Sequence, residues 1–403
     1  MQTEAPRSHP LEGVRVLDLT RVIAGPYCTR LLCDLGADVY KVEPPAADIG
    51  RGMGKRVRGL SGVFMQHNAG KQCLCIDLDK PGGGALVLDL VPHVDVLVDN
   101  FRPGVMDRLG LGEAALRAKN PRLIHCMISG FGHDSPSRDK RAFAGVIHAV
   151  TGLLDSQARA DMREPTDIAH ALADTATGVH ACVAILAALL HRARTGEGQT
   201  IDLAMHDVML SLNESCGEHL FESPEALTTF YRSTVMPGRD GHLAYQGDPV
   251  WLFDGFVAAL GRPDLKDDPR FATPESRREH RPVLMQLLGE WILAQPSIAK
   301  ASEVLEANGH PNGLVRTLPD ALASAETRAR GMVRDVDDRR GGAYPVLDTP
   351  YRFSRAKSGV RGTAHYRGED NRAVLQALCG FDDARLDALE REGVLIRTEK
   401  KKG

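Results

Sequence analysis

The sequence predicts an α/β chain in which a mostly parallel sheet is flanked by helices. Three observations carry this: an opening βαβ unit, continued alternation of strand-like and helix-like segments through residue 132, and a composition typical of globular proteins. VRVLDLT (14–20) reads as a buried strand, AGPYCTRLLCDLG (24–36) as a helix with Pro26 suited to its first turn, and ADVYKVE (37–43) as a second strand. CLCIDLD (73–79), GALVLDLVPHV (84–94), DVLVDNF (95–101), EAALRAKN (113–120) and RLIHCMISGFG (122–132) continue the alternation. Beyond residue 142 the pattern turns helical through Leu190, and QTIDLAMHDVML (199–210) returns to strand and then helix. The Pro- and Gly-rich MPGRDGHLAYQG (236–247) reads as a linker and strand opening a second region, with long amphipathic stretches such as RREHRPVLMQLLGEWILAQ (277–295). YPVLDTPYRFS (344–354), two short helices and a basic tail end the chain. The expected division is a large domain over 1–215, a smaller α+β domain over 216–330, and a return to the large domain over 331–403.

Charge and cysteine usage narrow the function. Fifty Lys and Arg against 53 Asp and Glu give a net charge of −3, so a polyanionic ligand must be drawn by a local patch and a general nucleic-acid binder is excluded. The longest apolar run, 179–190, is broken by His180, and residues 1–12 hold no signal-like core, so neither membrane span nor signal peptide is expected. Eight dispersed cysteines without C-x-x-C spacing fit reduced thiols in a cytoplasmic protein, and no Cys/His cluster has zinc spacing, so no metal is expected. The turn after the first strand, RVIAGPY, has one glycine and not G-x-G-x-x-G; neither a P-loop nor G-x-S-x-G is present.

Two features carry chemistry. Residues 51–75 contain Arg51, Lys55, Arg56, Arg58 and Lys71 and no acidic residue, a patch that suits a phosphorylated ligand or is simply a solvated basic loop. Asp174 precedes a long helix of small and apolar residues, with Gly178 one turn later leaving room for a ligand to approach. Free N–H groups at a helix start would hold such a carboxylate ionised, as a nucleophile requires, although an N-capping Asp has the same spacing.

These segments resemble the class III CoA-transferase family, which contains the formyl-CoA and carnitine CoA-transferases and includes the α-methylacyl-CoA racemases. The matching blocks are residues 11–43, NAGKQCLCIDL (68–78), DNFRPGVMDRLGLG (99–112), NPRLIHCMISGFG (120–132), the Asp174 helix with RTGEGQTIDLAMHD (194–207), DGHLAYQGDPVW (240–251), DPRFATPESRREHRP (268–282), GLVRTLPDAL (313–322) and TPYRFS (349–354). Their order and spacing are specific where no single block is. The resemblance implies a Rossmann-like large domain, an inserted smaller domain, and a homodimer interlinked like rings. It also implies transfer of CoA from an acyl-CoA to a free carboxylic acid, through aspartyl mixed-anhydride and aspartyl-CoA thioester intermediates. CoA and acyl-CoA are then substrates; no tightly bound cofactor, nucleic acid or membrane partner is expected.

Carried over by position, the resemblance makes Asp174 the nucleophile. It places CoA contacts on Val22, Ala24, Lys71, Asn100, Phe101 and Arg108, and on Lys140 or Arg141. Ile23 and His148 fall on the substrate side. Where formyl-CoA transferases have a glutamine before the Ala-Gly-Pro turn this chain has Ile23, Pro44 replaces an arginine, Ala144 replaces a glutamate, and the glycine-rich shielding loop is not recognisable. Formate and oxalate are therefore disfavoured and a more apolar acyl pocket is expected. A racemase of this fold needs a histidine where Phe143 and Ala144 stand, with His148 some five positions away, although Asp248-Pro249 falls near a racemase Glu-Pro. A non-catalytic CoA-binding protein is the third class.

Overall fold

The computed structural model describes residues 8–57, 60–213, 216–220 and 234–397. Contacts divide the chain into one unit of residues 1–217 and 328–403 and a second of 218–327. The expected boundary at residue 215 lies outside the described residues.

In the first unit, β1 (Arg15–Asp18), α1 (Ala24–Asp34) and β2 (Asp38–Glu43) form the opening βαβ unit. They are followed by α2 (Gly62–Asn68), β3 (Gln72–Cys75), α3 (Gly83–Leu90), β4 (Val96–Asp99), α4 (Val105–Arg108), α5 (Glu113–Lys119) and β5 (Ile124–Ser129). Then come α6 (Ala144–Val150), α7 (Leu153–Asp161), α8 (Leu172–Thr195), β6 (Gln199–Ala204) and α9 (Met205–Ser211). The six strands are all parallel, in the order β3-β2-β1-β4-β5-β6. This is the doubly wound order of dinucleotide-binding sheets, without their glycine fingerprint.

Successive side chains of a strand point to opposite faces, and both faces are covered here, which is why these strands read as almost continuous apolar runs. Leu17, Leu97 and Leu74 pack with α3, α5 and the C-terminal helices, whereas Val16, Val96, Val98 and Cys126 pack with α1 and α8. The length and apolar character of α8 would allow a membrane span by composition alone, but its Ala181, Cys182, Ile185 and Ala188 are buried against α1 and the sheet. Gly178 is where α8 meets α1: a Cβ there would lie 2.7 Å from the Ala24 carbonyl oxygen and 3.2 Å from the Cys28 nitrogen. The space expected for a ligand at Gly178 is thus filled by a helix.

The second unit holds an antiparallel sheet of β7 (Thr234–Pro237), β8 (His242–Tyr245) and β9 (Asn312–Leu314), with α10 (Phe253–Leu260), α11 (Pro274–Glu279), α12 (Arg281–Ala294) and α13 (Ile298–Ala307). The amphipathic stretch 277–295 divides at His280, because Pro282 can occupy only the first turn of a new helix. Residues 236–247 are a hairpin rather than a linker. In the return to the first unit, β10 (Val333–Asp337) and β11 (Ala343–Leu347) pair, and α14 (Asn371–Cys379) and α15 (Asp383–Arg391) close one face of the main sheet.

A buried charge network ties this unit together and corrects one expectation. Lys71 and Asp18 are both fully buried and 3.0 Å apart. The Lys71 ammonium also donates to the Pro26 carbonyl, the Thr29 hydroxyl and Asn68 Oδ1. With its protons spent and no solvent access, Lys71 does not reach a ligand; it is the counter-charge of Asp18. Burial would raise the Asp18 carboxyl, but Lys71, Lys41 and the Thr20 and Thr29 hydroxyls outweigh it and pull the pKa down to about 2. Lys71→Met strands that carboxylate and is expected to cost about 3–5 kcal/mol in urea unfolding. Wild-type stability combined with weakened CoA binding would return Lys71 to the ligand.

Candidate active site

In an open parallel sheet, ligands bind beyond the carboxyl ends of the strands where the strand order reverses, here between β1 and β4. A cavity of about 640 Å³ lies at that place. Its walls include Val22 and Ala24 after β1, Asn100 and Phe101 after β4, Ser129 and Gly130 after β5, and Asp174 from α8. Arg108, Lys140 and Arg141 also line it, so the structure brings both alternatives of the unresolved Lys140/Arg141 pair to one wall.

Asn100 faces the cavity with its amide already engaged: Oδ1 accepts the Arg21 N–H at 2.9 Å and Nδ2 donates to the Arg21 carbonyl at 2.8 Å. It shapes the β1–α1 loop, and the Arg21 guanidinium lies 5.5 Å from the Phe101 ring centre.

Ile23 is not on the cavity wall. It stands just before α1, its carbonyl accepting the Tyr27 N–H at 2.7 Å. The inference from Ile23 to an apolar acyl pocket therefore loses its contact. His148 is also off the wall and only 1% exposed. Its Nε2 accepts the Ala173 N–H at 3.1 Å and its Nδ1 lies 2.9 Å from Asp167 Oδ1. Since a backbone amide can only donate, this network assigns a neutral ring with the proton on Nδ1. His148 caps the first turn of α8, a task that Ala171 at the N-cap position cannot perform.

The basic patch at 51–58 is not the cationic wall. Arg51 pairs with Glu43 at 2.5 Å and stacks 3.7 Å from the Phe64 ring centre; Lys55 and Arg56 do not line the cavity, and Arg58 lies outside the described residues. The cavity instead gathers Arg102, Arg108, Arg138, Lys140 and Arg141, none of which has an ion-pair partner among the described residues. Arg102 and Arg138 were missed in sequence. Their signal is positional: each lies in a segment that follows the C-terminal end of a central parallel strand.

Asp174 occupies the first turn of α8, and its carboxylate accepts no hydrogen bond from a described residue. Burial pushes its pKa up to about 6. This reverses the expectation that the helix start would hold the carboxyl low: here desolvation wins. The result is a carboxylate about nine-tenths ionised at pH 7 and more basic than an exposed one. Ala142 and Met205 line the same cavity and pack in the cluster around Ala173, so apolar side chains share the wall with Asp174.

The family model for CoA-transferase family III matches residues 11–371. The succinyl-CoA–D-citramalate CoA-transferase of Chloroflexus aurantiacus is 34% identical, over 96% of this chain and 98% of its own length. The formyl-CoA:oxalate CoA-transferase of Streptomyces avermitilis is 31% identical, over 96% of this chain and 99% of its own. A solved structure, that of a CAIB/BAIF family protein from Brucella suis, is 33% identical with a TM-score of 0.81, covering 93% of this chain and 100% of that one.

Two pH effects follow from Asp174. If the ionised form reacts, kcat/KM falls about tenfold per unit below pH 6, with one proton controlling the limb. A profile flat to pH 4.5 would remove Asp174 from the chemistry. Because the folded pKa lies above the unfolded one, the stabilising contribution is complete below about pH 4 and lost as pH rises through about 6. Asp174→Asn is therefore expected to be more stable than wild type at pH 8, by on the order of 1 kcal/mol after solvent screening, with the gap closing at pH 4.

Proposed function

The chain belongs to CoA-transferase family III and is an enzyme that transfers CoA between carboxylic acids; from that premise we propose that Asp174 is its nucleophile. The observation that supports this best is a basic carboxylate, with no hydrogen bond from a described residue, on the wall of a cavity that also presents five cations without an ion-pair partner among the described residues. In the proposed sequence an Asp174 oxygen attacks the acyl-CoA carbonyl, the C–S bond breaks, and CoA leaves as thiolate with the acyl group held as a mixed anhydride. The thiolate attacks the aspartyl carbonyl and expels the donor acid, leaving an aspartyl-CoA thioester. The acceptor carboxylate then displaces the thiolate to form a second anhydride. The thiolate takes the acceptor acyl group and frees Asp174. Each step exchanges one leaving group for one nucleophile, so no net proton transfer is needed.

CoA serves here as substrate, its phosphates held by Arg102, Arg108, Arg138, Lys140 and Arg141. The apolar side chains near Asp174 suit an acyl group with a hydrocarbon segment, and the succinyl-CoA substrate in the name of the Chloroflexus relative fits that chemistry. A racemase would need a second base at the cavity. His148 is buried behind the wall with Nε2 committed to the Ala173 amide, which disfavours that reading.

The proposal includes a homodimer. Phe143, Val146, Val150, Leu172, Val183 and Leu190 are exposed on or beside α6 and α8, an apolar surface that a second copy would cover. Eight free cysteines support a reducing, cytoplasmic setting.

Asp174→Ala is expected to abolish transfer while calorimetry still detects CoA binding. Hydroxylamine added to wild type with acyl-CoA should trap a modification on Asp174; trapping elsewhere, with an active Asp174→Ala enzyme, would sink the assignment. Succinyl-CoA should exceed formyl-CoA in kcat/KM by about tenfold, the factor that roughly 1.4 kcal/mol supplies, and equal rates would show that the apolar wall does not contact the acyl group. Light scattering should give twice the 43.7 kDa chain mass, and a monomer at working concentration would refute the dimer.

A further inference from the structure

Val22 has a backbone φ of +71°, in the left-handed region that a β-branched residue rarely adopts. Such a conformation persists only where its surroundings over-determine it, and here they do so at Thr20, Arg21 and Val22 of the β1–α1 loop. The Thr20 N–H donates to Asp18 and the Thr20 carbonyl accepts from Lys41 Nζ at 2.8 Å. Arg21 is clasped through both its N–H and its carbonyl by Asn100. The Val22 N–H donates to Asp48 Oδ1 at 3.1 Å, and the Gly50 N–H reaches the same oxygen at 2.8 Å. The other Asp48 oxygen lies 3.0 Å from Lys41 Nζ, with both side chains at most 1% exposed. Ala47, next to Asp48, is also left-handed at φ +69°. Two of the four non-glycine left-handed residues among the described residues thus flank one buried contact.

We propose that Asp48 and Lys41 are positioning residues for CoA: their buried pair holds Val22 in its left-handed turn and so presents the β1–α1 loop to the cavity in its binding shape. Neither side chain lines the cavity, whereas Val22 and Ala24 do. Lys41 bridges the Thr20 carbonyl and Asp48, so a single ammonium fixes both ends of the strained turn. A loop shaped before the ligand arrives costs less to order on binding. Burial would raise Asp48, yet the Lys41 charge and the Gly50 and Val22 amides hold it below the usual carboxylate range, so the pair is charged at neutral pH. The inference rests on the reading of this cavity as the CoA site.

The test is a double-mutant cycle read by the Kd of free CoA, the KM for acyl-CoA, and kcat. Asp48→Ala is expected to raise Kd and KM about tenfold while kcat stays within about threefold, because Asp48 acts on the loop and not on the reacting atoms. Glycine adopts φ +71° without help, so in a Val22→Gly background the same substitution should raise Kd by only about threefold or less. Asp48→Asn keeps an oxygen for the two amides and removes the charge, and serves as the second variant if Asp48→Ala does not fold. Equal factors in both backgrounds would overturn the proposal. An unchanged Kd in a folded variant would do the same. Failure of both variants to fold even with Gly at 22 would assign the pair to the core and also overturn it. Wild-type protein that binds no CoA would refute the functional reading itself, which keeps the two failures apart.

Discussion

The fully buried Lys71–Asp18 ion pair is the constraint on which the first unit depends. Desolvating two charges costs several kcal/mol each, repaid only when the geometry is good and the remaining donors and acceptors are filled. Here Asp18 gathers bonds from Thr20, Thr29 and Lys71, and Lys71 gathers acceptors from α1 and α2. Strand β1, helices α1 and α2 and the entry to β3 therefore cannot slide past one another without stranding a charge. Once α1 is fixed, α8 is fixed as well, because Gly178 lets it rest on the Ala24 carbonyl. The position of Asp174 is inherited from that contact.

The cavity keeps two kinds of electrostatics in one space. Its cations are exposed side chains on loops and at the end of α4, without an ion-pair partner among the described residues and suited to a hydrated, multiply charged ligand. Asp174 shares its wall with the apolar Ala142 and Met205, and its raised pKa comes from burial, with none of the cationic wall contributing. If those arginines approached the carboxylate they would lower its pKa and weaken it as a nucleophile. A long ligand carrying phosphate at one end and a reactive carbonyl at the other suits this separation.

The alternation of apolar strands and helices made the sheet legible in sequence, since period and burial are local properties. Asp174 was legible as a lone carboxylate at the start of a small-residue helix. The role of Lys71 was not, because nothing in NAGKQCLC reveals that its ammonium meets a carboxylate 53 residues away. The 51–58 patch misled for the same reason: Arg51 looks like a free cation until β2 places Glu43 beside it. Arg102 and Arg138 gain meaning only from the sheet edge on which they stand. His148 lies 25 residues before the amide that it caps, a distance set by the packing of α6 on α8.

That cap also bears on Asp174, whose raised pKa comes from burial. A helix start leaves backbone N–H groups unsatisfied, and the usual remedy is a Ser, Thr, Asp or Asn at the N-cap position. Here that position is Ala171, and the Ala173 amide is taken by a neutral imidazole from behind the cavity wall. An aspartate at 171 would set a second negative charge near Asp174, and a hydroxyl there would add a donor within reach of its oxygens. The histidine satisfies the amide without doing either, and Asp167 holds its proton on the far nitrogen. The carboxylate is left half-buried, with no hydrogen bond from a described residue, which costs the folded state some stability at neutral pH. A more basic carboxylate oxygen is the better nucleophile toward a carbonyl carbon, which is the role proposed for Asp174.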